Sequence, residues 1–414
     1  MSCKRILGLM MLFLLLVFVA ACNTSEDGDN SSEEQGSDNS PDSGEEASKD
    51  PIKIGVLASL SGALESYGVQ TQQGFDLGLE YATDGTMEIN GQPIEVIYED
   101  TETTPQVARQ KALKLLEEDN VDFLVGSSSS GDTLAVVDLA KEYEKIMIVE
   151  PAVADSITGA DFNEYIFRTA RNSSQDAVAG AAAIADEGVK IATLAPDYAF
   201  GHDGVAAFKA AAEELGAEIV LEEYPPADAT DFTANIQKII DADPDYLFVV
   251  WAGANSPWNQ IADMDLQGKG IKISTGAPDI AALATMDALV GMEGFSVYYH
   301  TLPDNDINDW LVEQMQERHG TVPDLFTPGG MSAAIAIVEA LKQTNGDTNA
   351  KTLIETMEGM RFDTPKGTMT FRPEDHQALQ EMYSITLEEG EEYPVPVLNR
   401  VLTPEETAPP IMNQ

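Results

Sequence analysis

Cysteine is nearly missing from this chain of 414 residues, which holds 2, Cys3 and Cys22. Loss of an N-terminal leader would leave Cys22 alone, so no internal disulfide is available. Histidine is also scarce. His202, His300, His319 and His376 have no i, i+4 partner and no cysteine companion, which argues against a zinc site. Basic residues number 23 against 71 acids, a formal charge of 23 − 71 = −48 that becomes −50 if Lys4 and Arg5 leave with the leader. Such a field repels nucleic acid and anionic headgroups. Its spread through the whole chain suits direct exposure to a saline or alkaline exterior. There is no Walker loop and no complete Gly-x-Gly-x-x-Gly. Gly126 and Gly131 stand one residue too far apart for a Gly-x-Ser-x-Gly elbow. The expectation is a protein that is not an enzyme, with no cofactor and no metal.

One long apolar run exists, at residues 6–21. It is too short and too early for a transmembrane helix and reads as a secretory signal. It ends Val19-Ala20-Ala21-Cys22, which resembles the lipobox of bacterial lipoproteins; the resemblance implies that the Cys22 sulfur carries a diacylglyceryl anchor. The alternative is an ordinary signal peptide with an incidental cysteine. Residues 23–50 contain no aromatic and no large aliphatic side chain. They cannot bury a core, and as a flexible coil they would hold a folded body roughly 30 Å from the lipid.

From Pro51 onward, short β-rich segments alternate with amphipathic helices. Strands are predicted at 52–57, 94–98, 121–125, 146–149, 190–194, 218–221, 246–251 and 271–274. Tyr246-Leu-Phe-Val-Val-Trp251 is apolar at successive positions, as a strand covered on both faces requires. Thr104-Pro105 opens a helix whose Ala108, Ala112, Leu115 and Leu116 share one face. Repeated βα units of this kind build a doubly wound α/β parallel sheet. About 360 residues exceed one comfortable core, so two such lobes are expected. Near the end, 366–371 and 382–387 read as antiparallel strands.

Four serines, Ser127 to Ser130, follow the strand at 121–125 and precede a helix expected to begin near Thr133. Ligands of open parallel sheets bind beyond the carboxyl ends of strands. There, hydroxyls and free helical N–H groups suit a carboxylate. The alternative is plain helix capping by Ser130 or Asp132. A second loop, Glu150 to Ser156, is again rich in small residues.

These loops, with Ile54-Gly-Val-Leu-Ala-Ser-Leu-Ser-Gly62, Tyr67-Gly68, Phe167-Arg-Thr-Ala170, Tyr198-Ala-Phe-Gly201, Gly276-Ala-Pro-Asp279 and Arg372-Pro-Glu-Asp-His-Gln377 in order, resemble the leucine/isoleucine/valine-binding proteins of ABC importers. The resemblance implies the type I periplasmic-binding fold, with three chain crossings near 169–173, 300–303 and 365–370. It places 51–170 with about 302–367 in one lobe, and 171–301 with about 368–414 in the other. It also implies site roles. Ser129 or Ser130 would meet a ligand carboxylate, helped by the backbone of Ala152 and Ala154. Asp279 would face the ammonium, its alternative being a helix cap. Tyr67 would lie over the mouth. Phe200 and Ala254 replace tyrosines common in relatives, and Trp251 stands nearby. His376 is expected to support a turn.

The implied protein is a monomer, anchored outside the cell membrane, that captures an amino acid between its lobes and delivers it to an ABC permease. Alternatives are a binder of an aromatic carboxylate or amide, and a ligand sensor without transport.

Overall fold

The computed structural model describes residues 50–252, 255–286 and 289–413. The signal, Cys22, nearly all of the tether and Ala254 lie outside them.

The first lobe is built on β1 (Ile52–Ala58), β2 (Glu88–Ile89), β3 (Gln92–Asp100), β4 (Phe123–Gly126), β5 (Ile146–Val149) and β6 (Ile166–Arg168), in sheet order β2-β3-β1-β4-β5-β6. All neighbours run parallel except β2 and β3. Every residue of β4, β5 and β6 is buried. The absence of polar alternation reflects cover on both faces. Helices α1 (Glu65–Ala82), α2 (Pro105–Glu117), α3 (Ser130–Leu134) and α4 (Val137–Glu142) supply part of that cover. Pro105 sits in the first turn of α2, where its missing N–H costs nothing.

The second lobe holds α5 (Ser173–Ile184), β7 (Lys190–Leu194), α6 (Ala199–Glu214), β8 (Glu218–Glu223), α7 (Thr233–Ala242), β9 (Tyr246–Val249), α8 (Trp258–Asp263), β10 (Lys272–Thr275) and α9 (Ile280–Leu283). Its sheet is wholly parallel, in order β10-β9-β7-β8. The strand expected over 246–251 stops at Val249. Beyond it, Val250 N–H still reaches Leu194 O at 3.0 Å, but Val250 and Trp251 then form part of a cavity wall.

After β11 (Glu293–Ser296) the chain returns to the first lobe with α10 (Asp306–His319), α11 (Thr327–Gln343) and α12 (Ala350–Met357). Antiparallel β12 (Arg361–Thr364), β13 (Gly367–Phe371) and β14 (Ala378–Leu379) follow. Then β15 (Met382–Glu388) and β16 (Val395–Leu402) pair beside β11 in the second lobe.

This arrangement corrects the division expected at 367/368. Met369, Phe371 and Ala378 belong to the first lobe's core, and the Phe371 ring meets Phe167 at 5.2 Å. The third crossing therefore lies at 380–381, because the apolar face of β13 finds its cover on β6. The last residues also depart from the expected second lobe. Pro409 O accepts Arg372 Nη1–H at 2.7 Å, and Glu374 O accepts from Asn413 Nδ2 at 2.7 Å. The tail thus docks back onto the first-lobe turn that follows β13.

Candidate ligand-binding site

The first wall is made where β1, β4 and β5 end. Gly126 has φ +125°, and a Cβ there would stand 2.2 Å from Leu57 O, so only glycine lets the chain turn straight off β4. The serines that follow are largely engaged within the lobe. Ser127 Oγ donates to Ser129 O at 3.1 Å, and its N–H donates to Thr133 Oγ1 at 3.1 Å. Ser128 Oγ accepts Ser59 N–H at 3.0 Å. Ser130 Oγ accepts Ala154 N–H at 3.2 Å, joining the two small-residue loops. Helix α3 starts at Ser130, three residues before the expected point, and no side chain caps it.

The second wall comes from loops after β7, β9 and β10. Tyr198 and Phe200 open α6, their rings 5.8 Å apart. Burial pushes the Tyr198 hydroxyl above its ordinary range. Trp251 packs edge-on against Phe232 at 5.0 Å, and its Nε1–H is fixed on Asn255 O at 2.8 Å. Asp279 caps α9, its Oδ1 accepting Ala282 N–H at 2.9 Å. Burial raises this carboxyl's pKa, and the Ala282 N–H opposes the rise.

Between the walls lies a cavity of about 340 Å³. Tyr67, Ser129, Ser130, Ala152, Phe200, Trp251 and Asp279 all line it. Ala154 does not. Its N–H is given to Ser130, and its carbonyl accepts Arg168 Nη1–H at 2.6 Å, so its backbone is used behind the wall.

Several lining residues escape the sequence reading: Arg171, Tyr198, Trp258 and Phe326. Tyr198 sits inside a motif already singled out, and Arg171 directly follows one. Phe326, whose ring meets Tyr67 at 4.0 Å, comes from a distant segment with no local signal. Arg171 is the one cation among the described lining residues, and its Nε–H donates to Asp176 Oδ1 at 3.1 Å. Burial raises Asp176, and Arg171 opposes the rise. The lining thus offers hydroxyls on both walls, a neutralised Arg–Asp pair, one further carboxylate and many aromatic faces. It can hold a small molecule with an apolar body and one or two polar ends.

Near the first and third crossings, Arg168 is fully buried, and His376 stacks on Phe167 at 3.9 Å with Nδ1 3.0 Å from Ile166 O. Among the described residues no cluster of His, Cys, Asp and Glu could hold a metal ion.

The chain is similar to a solved ABC-type branched-chain amino acid transporter protein from Rhodopseudomonas palustris CGA009, at 47% identity and TM-score 0.79, covering 88% of this chain and 100% of that one. A solute-binding protein from R. palustris BisB5, solved in complex with 3,4-dihydroxybenzoic acid, is 28% identical with TM-score 0.76, over 85% of this chain and 97% of that one. The Leu/Ile/Val-binding protein homolog 6 of Brucella abortus (strain 2308) is 26% identical over 346 residues, 81% of this chain and 87% of the relative. Residues 51–392 match the periplasmic binding protein family as a whole. With two parallel-sheet lobes around one lined cleft, the chain belongs to that family of substrate-binding proteins.

Proposed function

We propose that this protein captures an amino acid with an apolar or aromatic side chain between its lobes and delivers it to an ABC permease. The observation that carries this reading is the cavity itself. At about 340 Å³ it is near the low end of small-molecule sites, which run from about 300 to 1,000 Å³. It sets Ser129 and Ala152 on one wall and Asp279 on the other. The serine wall would receive the ligand carboxylate, and Asp279 the ammonium. Aromatic rings would cover the side chain.

A second reading is favoured by Arg171 and the aromatic rings that line the same cavity: an aromatic carboxylate without an ammonium. A thermal-shift panel of L-leucine, L-phenylalanine, 4-hydroxybenzoate and benzamide separates the two, because binding to the folded state raises the midpoint by mass action. Shifts confined to the amino acids support the first reading; shifts confined to 4-hydroxybenzoate support the second. A broad panel of amino acids and aromatic acids without any shift would sink both.

The anchor belongs to the same proposal. Cys22 would hold the body on the outer side of the membrane as a monomer. Replacing Cys22 by Ser should abolish lipid labelling in cells; normal labelling would remove the anchor.

A further inference from the structure

Asp324 lies just before α11, in the first lobe. Its Oδ2 accepts from Gln70 Nε2 of α1 at 3.0 Å, and Gln70 Oε1 in turn accepts Phe326 N–H at 3.1 Å. Ile280 is the first residue of α9, in the second lobe, where Ile280, Leu283 and Met286 pack in that lobe's core. Across the cleft, Ile280 N–H points between the two Asp324 oxygens, at 3.1 and 3.3 Å. The first N–H groups of a helix have no partner within it. Asp279 supplies one for Ala282, and Asp324 supplies one for Ile280 from the opposite lobe.

We propose that Asp324 is a latch between the lobes, and that its acceptor oxygens rather than its charge do the holding. Two features place the weight on the acceptors. Asp324 is partly buried beside Asp279, whose carboxylate raises the cost of charge on it. Helix α9 is a single turn of 4 residues, so its dipole offers an anion little in return. Asp324 does not line the cavity, although Leu325 and Phe326 do. It is a positioning residue that favours the arrangement in which ligand is enclosed, and through Phe326 and Tyr67 it connects that arrangement to the mouth. The inference rests on the capture reading for its use. Its test needs no ligand, so the two can fail separately.

The test is pulsed dipolar spectroscopy on the ligand-free full chain with Cys3→Ser and Cys22→Ser, spin-labelled at Glu213→Cys on α6 and Glu317→Cys on α10. Both positions are exposed. The expected result is a population at the label separation of this structure. Asp324→Ala should reduce the closed-to-open ratio by about tenfold, the scale of one lost hydrogen bond. Asp324→Asn keeps an acceptor for Ile280 N–H and loses the charge, but sets an amide NH2 against Gln70 Nε2, so its ratio should lie between those of the parent chain and Asp324→Ala. Ile280→Pro deletes the donor from the other side. Proline is favoured at the first position of a helix, and Asp279, at φ −62° and ψ 163°, already has the extended backbone that a following proline demands. It should open the lobes as Asp324→Ala does. A parent chain without the closed population would overturn the latch. So would opening by Asp324→Ala that Ile280→Pro does not reproduce, which would locate the effect within the first lobe. An Asp324→Asn chain as open as Asp324→Ala would overturn the claim that the acceptor holds.

Discussion

Arg168 Nε–H donates to Gln377 Oε1 at 2.6 Å, tying the end of β6 to the turn that precedes the third crossing. The same guanidinium reaches Ala154 O and Thr158 Oγ1, while Gln377 Nε2 donates to Ala170 O at 2.7 Å. Gln380 Nε2 adds a bond to Thr169 O at 3.1 Å, and Lys366 Nζ donates to Gln380 Oε1 at 2.9 Å. Chain segments at the pivot are therefore fastened to one another by buried polar bonds. A hinge made this way bends at few points, because the first and third crossings are held in one frame.

Removing this centre should be costly. Burial lowers the Arg168 pKa to about 10. Arg168→Leu would leave the Ala154 carbonyl, Thr158 and Gln377 without their partner. A loss of about 3 to 5 kcal/mol in unfolding free energy is expected, by analogy with one-sided removal of a buried charged group. Urea denaturation measures it, and a change below about 1 kcal/mol would show that the frame is dispensable.

The serine loop allows two adjacent hydroxyls to be told apart. Ser130→Ala strands the buried Ala154 N–H and should reduce stability by about 1 to 3 kcal/mol. Ser129→Ala should instead weaken ligand binding with a smaller loss of stability, since Ser129 lines the cavity and its hydroxyl bonds the neighbouring Asp132 carboxylate rather than tying the two loops together. Equal effects of both substitutions on both quantities would contradict this division.

Asp279 combines a cap with a place in the cavity. Asn keeps much of the capping ability and removes the charge. For an α-amino acid ligand, Asp279→Asn should cost on the order of a hundredfold in affinity. An analogue lacking the ammonium should lose much less. Calorimetry on both proteins with both ligands completes the cycle, and unchanged affinity for the amino acid would leave Asp279 as a cap alone.

Acidity should act through Asp324, whose burial pushes its pKa up to about 6. Asp279, Tyr298 and Tyr299 face it, and Asp279 adds to the rise. A carboxyl with a raised folded pKa stabilises below its unfolded value of about 4 and loses that contribution as pH climbs through about 6. Asp324→Asn should accordingly gain stability relative to the parent chain between about pH 4 and pH 6 and hold that gain at pH 7. Thermal midpoints of the two proteins across this range provide the check. A difference independent of pH would mean that Asp324 has the same pKa folded and unfolded.

Local pattern alone determined much of this protein. Successive apolar residues in segments such as Ile146-Met-Ile-Val149 predict strands covered on both faces, and the βα alternation predicts parallel sheets, because both depend on periodicity along a few residues. Small residues after strand ends mark where a ligand can approach backbone, which is how Ser129, Ser130 and Ala152 were legible. Tertiary structure decided which of their polar groups remain available. Ser130 and Ala154 satisfy each other, and nothing local to either segment says so, because they meet only when β4 and β5 lie side by side. The same holds for Phe326, Arg171 and Asp324, which reach the cleft by packing between segments far apart in the chain. Met369 and Phe371 joined the first lobe for a related reason. A strand's alternation says that one face needs cover, and only the folded chain shows that β6 and its neighbours provide it.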